Sequence, residues 1–196
     1  MKRFGLLIIA LLSFTLGASS QDIQKKHTLN PCLIIIDVQN AFMQMMSKED
    51  QDNAIQMMNY ALMIFRQQNL PIIRVYHKSA EYGVMPGTEA FEYPESIQIS
   101  QGDQQVIKTY PSSFVKTGLD SLLHAREINT LFLCGLSAAG CVLATYMDAF
   151  SHDYKAFMIK DAMLSQNEEY TNQIENIFNA LDLETVMFML EIGIDP

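Results

Sequence analysis

The sequence predicts an α/β fold, a three-layer Rossmann-like sandwich with a mainly parallel sheet and helices on both faces. Three observations lead there. Short runs such as Cys32-Leu33-Ile34-Ile35-Ile36 are apolar throughout instead of alternating, as in strands buried on both faces. Segments with apolar residues at helical spacing separate these runs. The two kinds of segment alternate from end to end, with no repeat, low-complexity tract or linker between them.

Taken in order, the first strand follows Pro31 and ends at Asp37-Val38-Gln39-Asn40. Residues 53–68 place Ile55, Met58, Leu62 and Phe65 on one helical face, and Asn69 and Pro71 stop that helix. Ile72 to Tyr76 is the second strand, ending near His77. Residues 78–103 have no clean period and are punctuated by Gly83, Pro86, Gly87 and Pro94. So long a connection inside a compact domain points to a functional role, here shaping a pocket. Gln105 to Lys108 is the third strand. Thr117-x-x-Asp120 resembles a capping box and opens a helix through Arg126. Leu131 to Leu136 is the fourth strand, Cys141 to Phe150 a helix and Lys155 to Ile159 the fifth strand. Ser165-x-x-Glu168 is a clearer capping box, for a helix to about Leu181, and Thr185 to Met189 is the last strand.

The 196 residues suffice for one domain, expected over 31–196, after a short polar lead-in at 21–30. The net charge of −9, without a basic patch, argues against nucleic acid or an anionic membrane surface as partner. Residues 1–20 read as a signal peptide. Lys2 and Arg3 precede an apolar stretch from Leu6 to Leu16, too short for a membrane span, and Ala18-Ser19-Ser20 fits a cleavage site before Gln21. The expected location is therefore periplasmic or secreted, with no membrane association after cleavage. Export favours disulfides, yet Cys32, Cys134 and Cys141 are odd in number and have no framework spacing, so no disulfide staple is expected.

In an open α/β sheet, ligands bind outside the carboxyl ends of the strands. Asp37 ends the first strand, His77 the second and Lys108 the third, and Cys141 follows the fourth. Between that strand and its helix lies Gly135-Leu136-Ser137-Ala138-Ala139-Gly140, small residues that permit a sharp turn. Cys141 is thereby placed at a helix N-terminus, where unpaired N–H groups and the helix dipole favour a thiolate. A buried cysteine that merely packs as a small hydrophobe is the alternative. Of the histidines, His152 lies eleven residues beyond Cys141, about 16 Å along a continuous helix, too far to be its base. His124 falls toward the opposite sheet edge and His27 in the lead-in, which leaves His77. No HxxH, HExxH or clustered Asp/His pair is present, so no metal and no cofactor are expected.

The chain resembles the isochorismatase-like cysteine hydrolases, which include nicotinamidases, carbamoyl-amide hydrolases and isochorismatases. The matching pieces are LIIIDVQNAF at 33–42, Pro86-Gly87-Thr88, VIKTYPSSF at 106–114, GLSAAGCV at 135–142, TYMDAF at 145–150 and Lys160-Asp161-Ala162. The resemblance implies a catalytic triad of Asp37, Lys108 and Cys141, a cis peptide between Leu136 and Ser137, and an oxyanion hole from the N–H groups of Ser137 and Cys141. It implies hydrolysis of a small amide or related C–N bond through a thioester, with Lys108 lowering the thiol pKa. Phe42, Tyr110, Phe114 and Tyr146 are the candidate pocket walls for a small-molecule substrate, and a homo-oligomer is the expected assembly. The chain departs from the pattern at Ala41 and Ala138-Ala139. Tyr76-His77-Lys78 also lacks the Asp-x-His metal site of nicotinamidases. Vinyl-ether hydrolysis of isochorismate and a non-catalytic small-molecule-binding member remain the alternatives.

Overall fold

The computed structural model describes residues 28–193. The expected signal peptide, most of the lead-in and His27 lie outside the described residues. Strands β1 (Pro31–Ile36), β2 (Ile72–His77), β3 (Gln104–Lys108), β4 (Thr130–Leu136) and β5 (Lys155–Leu164) form one sheet in the order β3-β2-β1-β4-β5. Every pairing within it is parallel. The chain starts in the middle of the sheet, runs to one edge through β2 and β3, and returns to build the other half with β4 and β5. The order therefore reverses between β1 and β4, which opens a crevice at their carboxyl ends.

The unbroken apolar character of β1 and β4 is explained by burial on both faces. Leu33, Ile35, Phe132 and Cys134 face one core, with Met58, Leu62 and Phe65 of α2 (Lys48–Gln67) and Val186 and Leu190 of α6 (Leu183–Gly193). Cys32, Ile34, Ile36, Leu131 and Leu133 face the other. They meet Leu119 and Leu123 of α3 (Leu119–His124) and Ala149 of α4 (Leu143–Ser151). All three cysteines are free thiols, with Cys32 and Cys134 buried on opposite faces of the sheet. Among the described residues no helix is long and apolar enough to cross a membrane.

Several boundaries differ from the sequence expectation. Helix α2 begins five residues early because Ser47 caps it, its hydroxyl accepting from the Asp50 N–H at 3.1 Å. Neither expected capping box forms. Helix α3 starts after Gly118 without a side-chain cap bond, and Thr117 Oγ1 accepts from Leu119 N at 3.2 Å. In α5 (Glu168–Ile177) the cap is Asn167, which accepts from Glu169 N at 3.0 Å. The expected last strand at 185–189 is part of α6. Val186 and Leu190, four residues apart, are buried while Phe188 between them is 60% exposed, a helical and not an alternating pattern. The outer edge of β5 instead takes a single parallel bridge, Ile159 to Leu181.

Two features sharpen the crevice. Gly135 has φ +112°, and a Cβ there would lie 2.2 Å from the Ile36 carbonyl oxygen, so β1 and β4 close up only on glycine. The segment 78–103 packs beside β1 and β2. The Tyr93 hydroxyl lies 2.9 Å from the Ile35 carbonyl oxygen and 2.8 Å from that of Val75. Glu92 and Ala90 carbonyls accept from Asn40 and Ala41 N–H, which positions the short helix α1 (Asn40–Met43).

Candidate active site

The switch-point crevice holds a cavity of about 470 Å³. Its polar floor is supplied by three adjacent strand ends. Asp37 leaves β1 with φ +55°, its N–H bonded to Val75 O at 2.9 Å. His77 ends β2, in register with Lys108 at the end of β3. The Lys108 side chain reaches past the end of β2 to Asp37, whose Oδ2 lies 2.6 Å from Nζ. Nζ also lies 3.1 Å from His77 Nδ1 and donates to the Tyr110 carbonyl at 3.2 Å. An ammonium has three N–H donors and no acceptor, so these three partners satisfy it completely. The side chain is buried, which rules out water as a substitute partner.

Asp37 is used on one side only. Its Oδ1 is buried and has no hydrogen-bond partner among the described residues. The atoms that Asp37, His77 and Cys141 could offer a ligand all lie within 4.8 Å of one another, so the Cys141 sulfur faces this carboxylate. Cys141 comes from the far wall. After the cis peptide Leu136–Ser137 the chain makes a π-helical turn over Ala138–Val142 that leads into α4. The Ser137 carbonyl accepts from Gly140 N at 2.9 Å and Val142 N at 3.1 Å, and Thr145 Oγ1 donates to the Cys141 carbonyl at 2.8 Å. A Cβ on Gly140 would come 2.7 Å from Ser137 Oγ, so a side chain there would push that hydroxyl aside.

Burial dominates the electrostatics. It raises the Asp37 carboxyl to about 6, against the pull of Lys108 in the other direction. Burial, followed by the negative charge of Asp37, pushes the Cys141 thiol up to about 12, and Lys108 offsets only part of this. The expected lowering of the thiol pKa by Lys108 is thus outweighed: the resting sulfur is a thiol, with a carboxylate beside it. Burial, then the Lys108 charge, lowers the pKa of His77. At neutral pH its imidazole is uncharged, in keeping with Nδ1 accepting from an ammonium. Asp37, His77 and Cys141 together are a possible metal ligand set. Lys108 already bonds Asp37 Oδ2 and His77 Nδ1, so a divalent ion among these groups would sit next to a buried ammonium. The donor set does not suit one.

Of the residues expected from the sequence, Asp37, Lys108, Ser137 and Cys141 are brought together, and Phe42 lines the cavity. Tyr110 does not line it. It is exposed, with its hydroxyl 2.8 Å from Lys116 Nζ, and only its carbonyl serves Lys108. Phe114 is a core residue stacked on His152 at 4.6 Å, and Tyr146 packs between Phe150 and Phe178. The segment 78–103 contributes no lining residue; it buttresses α1, which carries Phe42. His77, the one histidine expected at this edge, also lines the cavity, and the walls are completed by residues not expected from sequence: Met45, Met46, Ser165, Gln166 and Tyr170. Ser165 and Gln166 follow the carboxyl end of β5, so the strand-end rule that located Asp37 also reaches them. His124 sits by Tyr154 and Asp120, away from the cavity.

A cysteine at the switch-point crevice of this α/β domain stands within 4.8 Å of a buried carboxylate that an ammonium holds. The isochorismatase domain model matches residues 31–186, and the chain belongs to the isochorismatase family of hydrolases. It is 26% identical over 151 residues to an isochorismatase family protein, YddQ, of Bacillus subtilis, covering 74% of this chain and 84% of the relative. A shorter match, 29% identical over 80 residues, is to a maleamate amidohydrolase of Pseudomonas putida, covering 41% of this chain and 38% of that one. The crystal structure of N-carbamoylsarcosine amidase from Thermoplasma acidophilum superimposes with a TM-score of 0.67 at 25% identity, over 79% of this chain and 95% of that one.

Proposed function

We propose that this chain hydrolyses a small carboxamide or related C–N bond through a thioester on Cys141. The observation that carries the reading is a buried Asp37 carboxylate within 4.8 Å of the Cys141 sulfur, with Oδ2 held by Lys108 and Oδ1 without a partner among the described residues. A carboxyl that titrates at about 6 is ionised at neutral pH and can act as a base. A thiol near 12 is not a standing thiolate, so its proton moves to Asp37 as the sulfur attacks the carbonyl carbon.

The N–H groups of Ser137 and Cys141 receive the resulting oxyanion. Asp37 then gives its proton to the leaving nitrogen, the C–N bond breaks, and an amine departs. Asp37 next takes a proton from water, the hydroxide adds to the thioester carbon, and the acid is released as sulfur recovers its proton. Lys108 keeps Asp37 ionised between these transfers and makes no contact with the substrate. The relatives named as an amidohydrolase and an amidase support C–N cleavage. Release of ammonia or amine from a panel of amides and carbamoyl compounds, measured for the wild type and Cys141→Ala, tests the reading. Turnover by the wild type alone is expected, and turnover surviving in the variant contradicts it.

A further inference from the structure

The charges around the cavity define a substrate class. Among the described residues, no lysine or arginine lines it. The nearest cation, Lys108, is buried and has spent its three donors on Asp37, His77 and Tyr110, so it cannot pair with a substrate carboxylate. Its charge and that of Asp37 cancel, which leaves no net charge under the floor for a substrate anion or cation. The remaining walls are apolar (Phe42, Met45, Met46 and Leu136) or carry neutral groups (Ser165, Gln166 and Tyr170). A carboxylate placed among them would be desolvated without a counter-ion and would face Asp37.

His77 supplies the orienting contact. Lys108 Nζ can only donate, so His77 Nδ1 accepts, and the imidazole proton is on Nε2. The residue is fixed through its backbone by buried Gln39, whose Oε1 accepts from His77 N at 2.7 Å and whose Nε2 donates to His77 O at 3.1 Å. Phe42 stands edge-on to the ring, with centroids 6.0 Å apart. Nε2 has no protein partner among the described residues, and the ring lines the cavity.

We infer that the cavity takes an uncharged amide with a small apolar body, oriented by a hydrogen bond from His77 Nε2–H to a substrate acceptor, and that it discriminates against carboxylate-bearing amides. This rests on the hydrolase reading above but can fail separately from it.

The test compares matched pairs that differ by one carboxylate, benzamide with 4-carbamoylbenzoate and crotonamide with maleamate. For the wild type, kcat/KM should favour the neutral member by at least about tenfold, since an unpaired charge is a strong element of discrimination. Equal or better turnover of the anion overturns the inference and leaves the hydrolase reading standing. If no amide is turned over, that reading fails. Calorimetric binding to Cys141→Ala then decides the inference: tighter binding of benzamide than 4-carbamoylbenzoate supports it, and the reverse or equality overturns it. His77→Asn keeps an acceptor for Lys108 at the Nδ1 position and withdraws the donor from the Nε2 position, because the amide is shorter than the imidazole. Its KM for the neutral substrate should rise roughly 3–10-fold, the effect of one lost neutral hydrogen bond, with kcat within about twofold. A loss confined to kcat contradicts the role given to His77.

Discussion

The titration of Asp37 can be followed in stability as well as in activity. Burial lifts its folded pKa to about 6, against an ordinary value of 3.8. A carboxyl with a raised folded pKa contributes stability that is fully present below the unfolded pKa and lost as pH rises through the folded one. The window is therefore from about pH 4 to about pH 6. Two units correspond to about 3 kcal/mol, a large part of the stability of a domain. Asp37→Asn removes the titrating group while retaining an acceptor for Lys108. Urea unfolding of both proteins between pH 4 and 6.5 isolates the effect as a difference. The wild type should lose about 3 kcal/mol relative to the variant across this window. Parallel stability curves would show that Asp37 titrates alike folded and unfolded, and the buried, half-satisfied carboxylate would be wrong.

The same group sets an acid limb on activity: kcat/KM should rise with pH through about 6 as Asp37 ionises. In Lys108→Met the limb should move to higher pH, because the neighbour that favours the carboxylate is gone. A limb that stays at 6 contradicts the pairing. Gly135→Ala should cost roughly 3 kcal/mol or more in chemical denaturation, since its Cβ would strike the Ile36 carbonyl at a positive φ. In the same assay Leu190→Ala should cost about 2–5 kcal/mol and Phe188→Ala under about 0.5 kcal/mol, since α6 buries Leu190 and exposes Phe188.

The five strands and the parallel sheet were legible because strands buried on both faces write an unbroken apolar run, and β1 and β4 do so. Asp37, Lys108 and Cys141 were legible for a related reason. A side chain that ends or follows a parallel strand has its place set by topology, without knowledge of packing. The C-terminal apolar run at 186–190 was ambiguous because a short apolar segment fits either period. Only the burial of Val186 and Leu190 around an exposed Phe188 settles it as helix. Of the four aromatic residues expected as pocket walls, Phe42 lines the cavity and the other three do not. Phe114 and Tyr146 turn into the core that faces α3 and α4, a choice made by tertiary packing. Ser165 was misread because a hydroxyl three residues before a glutamate looks like a helix cap. In the fold it lies beyond β5, with its Oγ 3.5 Å from Ala139 N at the cavity wall. The direction of the Cys141 shift was also hidden. A helix N-terminus argues for a thiolate, but burial and a facing carboxylate are properties of the assembled site.

The central claim is that the Cys141 sulfur, deprotonated by Asp37, carries the acyl group. It is tested most directly by rapid acid quench of the enzyme with a turned-over amide, followed by intact-mass and peptide analysis. The expected result is a mass increase equal to the acyl group, located on Cys141, labile to hydroxylamine, and missing in both Cys141→Ala and Asp37→Asn. Steady turnover without any adduct under conditions that should accumulate it, or an adduct on another residue, would contradict the account.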